Sequence, residues 1–130
     1  QILKFADDAR TWTSHPIRPD RSSTRSLTEL LSRLRPNGGT NLFDGLVRAL
    51  QLDEIGYGEA DKTEIDELFV LSDGRPTTGA VQDTEQMLRL VREANKYAHV
   101  RIHCVFTGDG GGAGLLRKLA EQNDGVFVQR

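Results

Sequence analysis

Asp73 is the residue best placed in this chain to do chemistry. It follows the apolar run Leu68-Phe69-Val70-Leu71 and sits in the polar stretch Ser72-Asp73-Gly74-Arg75-Pro76. A short apolar run ending in turn residues reads as a strand buried on both faces, the kind found inside parallel sheets. Asp73 then stands where the strand runs out, and open α/β sheets bind ligands at that carboxyl edge. Position alone leaves two readings of the carboxylate. It is a functional group, or it is a turn-former that caps nearby amides, since Asp-Gly is a common turn dipeptide.

Other reactive residue types carry less. Gly108-Asp109-Gly110-Gly111-Gly112-Ala113 follows a predicted strand and precedes a predicted helix, so it formally fits a dinucleotide fingerprint. That fingerprint belongs to a first βαβ unit with an acidic residue about 20 positions on. Here it falls in the last unit, and the stretch reads as a flexible loop. An aspartyl phosphotransferase needs a nucleophile in an Asp-x-Asp pair, and Leu71 stands where the first Asp would be. His15, His99 and His103 are scattered, with no i, i+4 pair to hold a metal. Cys104 is the single cysteine, so no intrachain disulfide forms; within a strand it reads as a small buried hydrophobe. Trp12 reads as packing under an edge hairpin.

The composition bounds the rest. At 130 residues the chain is long enough for one domain. Hydrophobic residues at 37% and charged residues at 28% exclude a disordered or membrane-embedded chain. A net charge of −2 leaves no basic footprint for nucleic acid. No apolar stretch approaches the ~20 residues of a membrane span. The chain opens at Gln1 without Met and runs at once into Ile2, Leu3 and Phe5, which reads as a fragment lacking its upstream part.

The elements that must position Asp73 follow from patterning. Residues 1–6 read as a strand, Asp7-Asp8 as a tight turn and 10–14 as the returning strand. Residues 15–25 read as a loop. Leu27, Leu30, Leu31 and Leu34 recur at helical spacing, with Ser26 and Glu29 as a capping box. Pro36-Asn37-Gly38-Gly39 stops that helix, and Thr40 or Asn41 caps the next, whose apolar face is Leu42, Phe43, Leu46, Val47 and Leu50. Residues 55–65 read as a surface loop. A strand at 67–72, a helix from Thr84 to Tyr97, a strand at 101–107, a helix at 115–122 and a strand at 126–128 complete the order. Helix and strand alternate from residue 40 onward, which implies a parallel sheet covered by helices.

Two pieces of this pattern carry a family resemblance. Gly38-Gly39-Thr40-Asn41 opens a helix, and Leu71-Ser72-Asp73-Gly74 closes a strand. In this order and topology the chain resembles the von Willebrand factor type A domain, from the family's second strand to its last. The resemblance implies an α/β fold: an open, doubly wound, mostly parallel, Rossmann-like sheet with helices on both faces. It implies a metal-ion-dependent adhesion site at the carboxyl edge, with Mg²⁺ or another divalent cation. Thr40 and Asp73 match two of its ligands, and Gly39, Asn41, Gly74 and Arg75 match its partner-binding rim. The partner is a protein, whose acidic side chain completes the metal site.

One departure is large. The family's Asp-x-Ser-x-Ser motif, borne on its central first strand, occurs nowhere here; the nearest imitation, Asp20-Arg21-Ser22-Ser23, lies in the predicted loop. Residues 1–130 are therefore expected to be a partial domain whose central first strand is missing. Such a fragment binds Mg²⁺ weakly or not at all, since one hydroxyl and one carboxylate do little for an ion that dehydrates reluctantly. The strands at 1–6 and 67–72 then flank a gap, the hairpin sits loosely, and the chain tends to associate through open edges. The resemblance points to a binding module and away from an enzyme. A metal-independent scaffold is the alternative, and a phosphotransfer or nucleotide-binding enzyme a remoter one. Family members work inside and outside cells, so the compartment is left open.

Overall fold

Apolar runs at 68–71 and 102–106 form the centre of the molecule because they pair with each other. The computed structural model describes residues 1–13, 15–35, 38–52 and 63–130. In chain order the elements are β1 (Leu3–Phe5), β2 (Ala9–Thr11), α1 (Arg21–Arg33), α2 (Leu42–Ala49), β3 (Glu67–Ser72), α3 (Thr84–Ala98), β4 (Arg101–Phe106), α4 (Ala113–Glu121) and β5 (Phe127–Gln129). Strands β3, β4 and β5 form a parallel sheet, with Val70 opposite Cys104 and Val105 opposite Val128. Strands β1 and β2 form a separate antiparallel hairpin. The fold is α/β and Rossmann-like, as the resemblance implied. No described residue forms a strand between β1 and β3, which leaves one edge of each unpaired among the described residues.

Core packing explains the helix positions. Met87, Leu88, Val91 and Ala94 of α3 and Leu115, Leu116 and Leu119 of α4 are buried together with Ile102, Cys104 and Phe106 of β4. Leu42, Phe43 and Leu46 of α2 join the same cluster. Burial pushes the Cys104 thiol up to about 12, so it is an inert hydrophobe. Asn95 is the polar exception. Its side chain accepts from Val100 N–H (2.8 Å) and donates to Val100 C=O (2.7 Å) and Asn123 Oδ1 (2.8 Å). These bonds fasten the end of α3 to the start of β4 and to the loop after α4.

Three expectations need correction. Strand β3 is not buried on both faces: Val70 and Ser72 point into the core, but Phe69 and Leu71 are each 61% exposed. Val70 belongs to the buried cluster with the side chains of α2, α3 and α4, and Phe69 and Leu71 do not. Phe69 instead stacks on His103, ring centroids 4.7 Å apart. Helix α1 begins earlier than its leucine pattern suggested. Asp20 caps it, accepting from Ser23 N–H at 2.7 Å while Ser23 Oγ accepts from Asp20 N–H at 2.8 Å. Ser26 is therefore inside the helix, and Asp20-Arg21-Ser22-Ser23 is a helix start. The hairpin is not loose either. Phe5 packs on Gly45 of α2, and Asn41 N–H donates to Ala6 C=O at 2.7 Å. Pro36, Asn37 and most of the expected 55–65 loop lie outside the described residues.

Candidate functional site

The site is built from three loops at the carboxyl end of β3. The first is the β1–β2 turn. Asp7 Oδ1 accepts from Gly39 N–H at 2.6 Å, and Asp7 C=O accepts from Asn41 Nδ2 at 3.0 Å. Gly38 has φ +73°, and a side chain there would run into the Asp7 carboxylate. A glycine is required on both counts. This contact pins the loop before α2 to the hairpin.

The second loop is that segment itself. Asn41 is the N-cap of α2, accepting from Asp44 N–H at 3.3 Å and donating to Asp44 Oδ2 at 2.5 Å. Thr40 is thereby left one residue outside the helix. Its backbone pairs with the third loop: Thr40 N–H donates to Thr77 Oγ1 (2.8 Å), and Thr77 N–H donates to Thr40 C=O (3.0 Å). Gly39 fits against Thr77 and Thr78 with no room for a side chain.

The third loop runs on from β3 through Asp73, Gly74 and Arg75. Thr107 N–H donates to Ser72 C=O at 3.1 Å, carrying the sheet register to the loop's base. The glycine-rich segment after β4 backs it. A Cβ on Gly108 would lie 2.6 Å from Asp73 C=O, and one on Gly112 would lie 2.5 Å from Gly74 C=O. The formal dinucleotide fingerprint thus has a packing explanation: its glycines let one loop lie directly against another.

Thr40 and Asp73 both line a groove of about 620 Å³ between β1 and β3. Leu3, Phe5 and Leu71 form part of its wall, and Leu30, Leu31 and Leu34 of α1 form another part. Gly39 lines it too, whereas Asn41 is 3% exposed and its side chain is bonded to Asp7 and Asp44, which holds the loop. Gly74 and Arg75 stand beside Asp73, with Arg75 exposed. Asp73 is exposed, and neither its carboxylate nor the Thr40 hydroxyl makes a hydrogen bond within the described residues. Both are hard oxygen donors, the kind Mg²⁺ takes. They suit the ion in kind and fall short in number: no group of three or more His, Cys, Asp or Glu able to hold a metal occurs among the described residues. A second cavity of about 620 Å³ lies by Asn95, His99 and Asn123, lined by the exposed charged face of α3. Patterning missed Asp7, Thr77 and the glycine seat as site supports, because each acts across the chain.

A parallel sheet with hydroxyl and carboxylate loops gathered at its carboxyl edge defines a Rossmann-like α/β domain. The comparisons make this specific. The profile of the von Willebrand factor type A domain matches residues 1–128, and the chain belongs to that family, one of protein-interaction modules. A solved von Willebrand factor type A structure from Catenulispora acidiphila superposes with a TM-score of 0.71 at 21% identity, covering 98% of this chain and 28% of that one. The chain is also similar to inter-alpha-trypsin inhibitor heavy chain H2 from Homo sapiens, 23% identical over 127 residues. Heavy chain H4 from Bos taurus is 26% identical over 127 residues. Each alignment covers 96% of this chain but only 13% and 14% of those relatives. No helix among the described residues is long and apolar enough to cross a membrane.

Proposed function

We propose that residues 1–130 act as a non-enzymatic protein-binding module that engages its partner at the carboxyl edge of β3, beside Asp73 and Thr40. The observation that carries this reading is the convergence of these two residues, far apart in sequence, on one groove at the sheet edge. Thr40 and Asp73 would hold a divalent cation, Mg²⁺ by the chemistry of the donors. The ion supplies a positive centre that accepts a carboxylate oxygen from the partner. The chain's own work is to hold the two oxygens still, through Asp7 on Gly39 and Thr77 on Thr40. The open edges of β1 and β3 support a further strand seated in the groove and bearing the remaining ligands, so these residues are a partial domain and their own affinity for Mg²⁺ is low.

Calorimetric titration of Mg²⁺ into the wild-type chain, Asp73→Asn and Thr40→Val tests this. Weak binding in the wild type, abolished in both variants, is expected. Tight binding would mean that Asp7 or Asp44 takes the place of an absent ligand. Binding unaltered by both substitutions would sink the metal assignment and leave a metal-independent scaffold. That second reading has its own support in the exposed Phe69 and Leu71, an apolar surface on the same sheet.

A further inference from the structure

His103 of β4 is tied to the chain on both sides of its strand. Alternation along β4 turns its ring away from Ile102 and Cys104, which are buried in the core. On the β3 side the ring stacks on Phe69, centroids 4.7 Å apart and planes 17° from parallel. On the other side its Nδ1 accepts from Val126 N–H at 3.1 Å. Val126 is the residue before β5, and its C=O accepts from Cys104 N–H at 2.9 Å. The entry to β5 is thus held by one backbone bond and one side-chain bond. His103 Nε2 is shut off from solvent and has no hydrogen-bond partner among the described residues. An imidazole nitrogen accepts only when it carries no proton, so this geometry requires the neutral ring with its hydrogen on Nε2.

We propose that His103 is a proton-sensitive latch on β5: the neutral ring holds the start of that strand, and the protonated ring releases it. Proton uptake puts an N–H on Nδ1, facing Val126 N–H, and turns the acceptor into a second donor. The Phe69 stack does not suffer in the same way, because a cation over an aromatic face is attracted to it. The loss therefore falls on β5. The bond belongs to the neutral ring, so it is present on the alkaline side and lost as the pH falls. Release is local, since Arg130 N–H donates to Phe106 C=O at 2.9 Å and keeps the far end of β5 fastened. The charged groups around the ring are accounted for. Glu67 of β3 and Arg101 of β4 occupy the next row of this face and pair with each other. The row on the other side, Leu71, Val105 and Val128, is apolar. Asp124, in the turn before β5, is exposed. From α4, Arg117 lies over the Phe127 ring at 4.3 Å and Lys118 pairs with Glu85. Histidine is the only side-chain type among these that ordinarily changes charge near neutral pH.

The test is amide exchange by NMR at about pH 8 and about pH 5, on either side of the range where imidazoles ordinarily titrate, with each rate divided by its intrinsic value at that pH. In the wild type, protection of Val126 N–H is expected to fall about tenfold in acid, the loss of one hydrogen bond. Ile102 and Arg130 N–H, bonded to the Asn123 and Phe106 carbonyls, should keep theirs. His103→Phe keeps an aromatic ring for Phe69 and has no acceptor, so its Val126 should be poorly protected at both pH values. His99→Asn should show the same step as the wild type. Unchanged protection of Val126 in the wild type, a step that persists in His103→Phe or vanishes in His99→Asn, or a fall shared equally by Ile102 and Arg130 overturns the latch. The ring nitrogens of the wild type give a second reading that needs no variant. Their ¹⁵N shifts should show a bare Nδ1 in the alkaline sample and a protonation course that coincides with the loss at Val126. A proton on Nδ1 in that sample, or two courses that do not coincide, overturns the proposal even where His103→Phe fails to fold.

Discussion

Thr40 and Thr77 hold each other through a pair of hydrogen bonds: Thr40 N–H donates to Thr77 Oγ1 at 2.8 Å, and Thr77 N–H donates to Thr40 C=O at 3.0 Å. One of the two depends on a side chain. Thr77→Ala removes that acceptor and should cost about 0.5–1.5 kcal/mol. Thr77→Ser keeps the hydroxyl and should cost less. Amide exchange at Thr40 is the direct readout: it should quicken in Thr77→Ala and stay slow in Thr77→Ser. Equal protection in both would mean that the hydroxyl does not hold the loop.

Asn95 should be among the most sensitive positions outside the site. Asn95→Ala strands Val100 N–H, Val100 C=O and Asn123 Oδ1 together in a buried region. Each buried unsatisfied group costs about 1–3 kcal/mol, though partial relaxation keeps the sum below three full penalties. A loss of about 2–4 kcal/mol in urea unfolding is expected. A loss below about 0.5 kcal/mol would show that the network is replaced by water at little cost.

Gly125 and Gly114 should respond oppositely to alanine. A Cβ on Gly125 would overlap the Ile102 carbonyl, so β4 or the turn before β5 must move, at about 1–3 kcal/mol. Gly114 lies in α4 with nothing near, and alanine there should stabilise by up to ~1 kcal/mol. Thermal melts of the two variants decide this, and a Gly125→Ala protein as stable as the wild type would contradict the close approach.

The start of α1 should respond to acid. The Ser23 backbone N–H on Asp20, followed by the Ser22 and Ser23 hydroxyls, holds its carboxyl below the usual aspartate range. A depressed folded-state pKa stabilises above the unfolded value, ~3.9, and that contribution is lost as pH falls through the lower folded value. Amide protection at Ser22–Thr24 should therefore fall with acidification below about pH 4. Asp20→Asn keeps a capping oxygen but no titrating group, and its α1 should not show the step. The same step in Asp20→Asn would assign it elsewhere.

Most of the elements were legible in the residues because their signals are local. The cap at Asn41, the apolar stripe Met87-Leu88-Val91-Ala94 and the run Leu68–Leu71 each report on their own few neighbours, and the alternation from residue 40 onward dictates a parallel sheet. Asp73 at a strand end and Thr40 at a helix start are local facts of the same kind. The start of α1 was misread because four leucines outweighed the polar first turn, in which Asp20 and Ser23 cap each other. Only the tertiary structure could decide how these pieces meet. Phe69 and Leu71 look like core in the sequence and stand exposed, because burial depends on whether another element lies over that face. Asp7 and Gly39, Thr40 and Thr77, Arg75 and Gly111 have no periodic relation to one another. Each pair is joined by the crossing of three loops at one sheet edge, and a contact of that kind leaves its trace only as a glycine, a threonine or an aspartate whose partner lies tens of residues away.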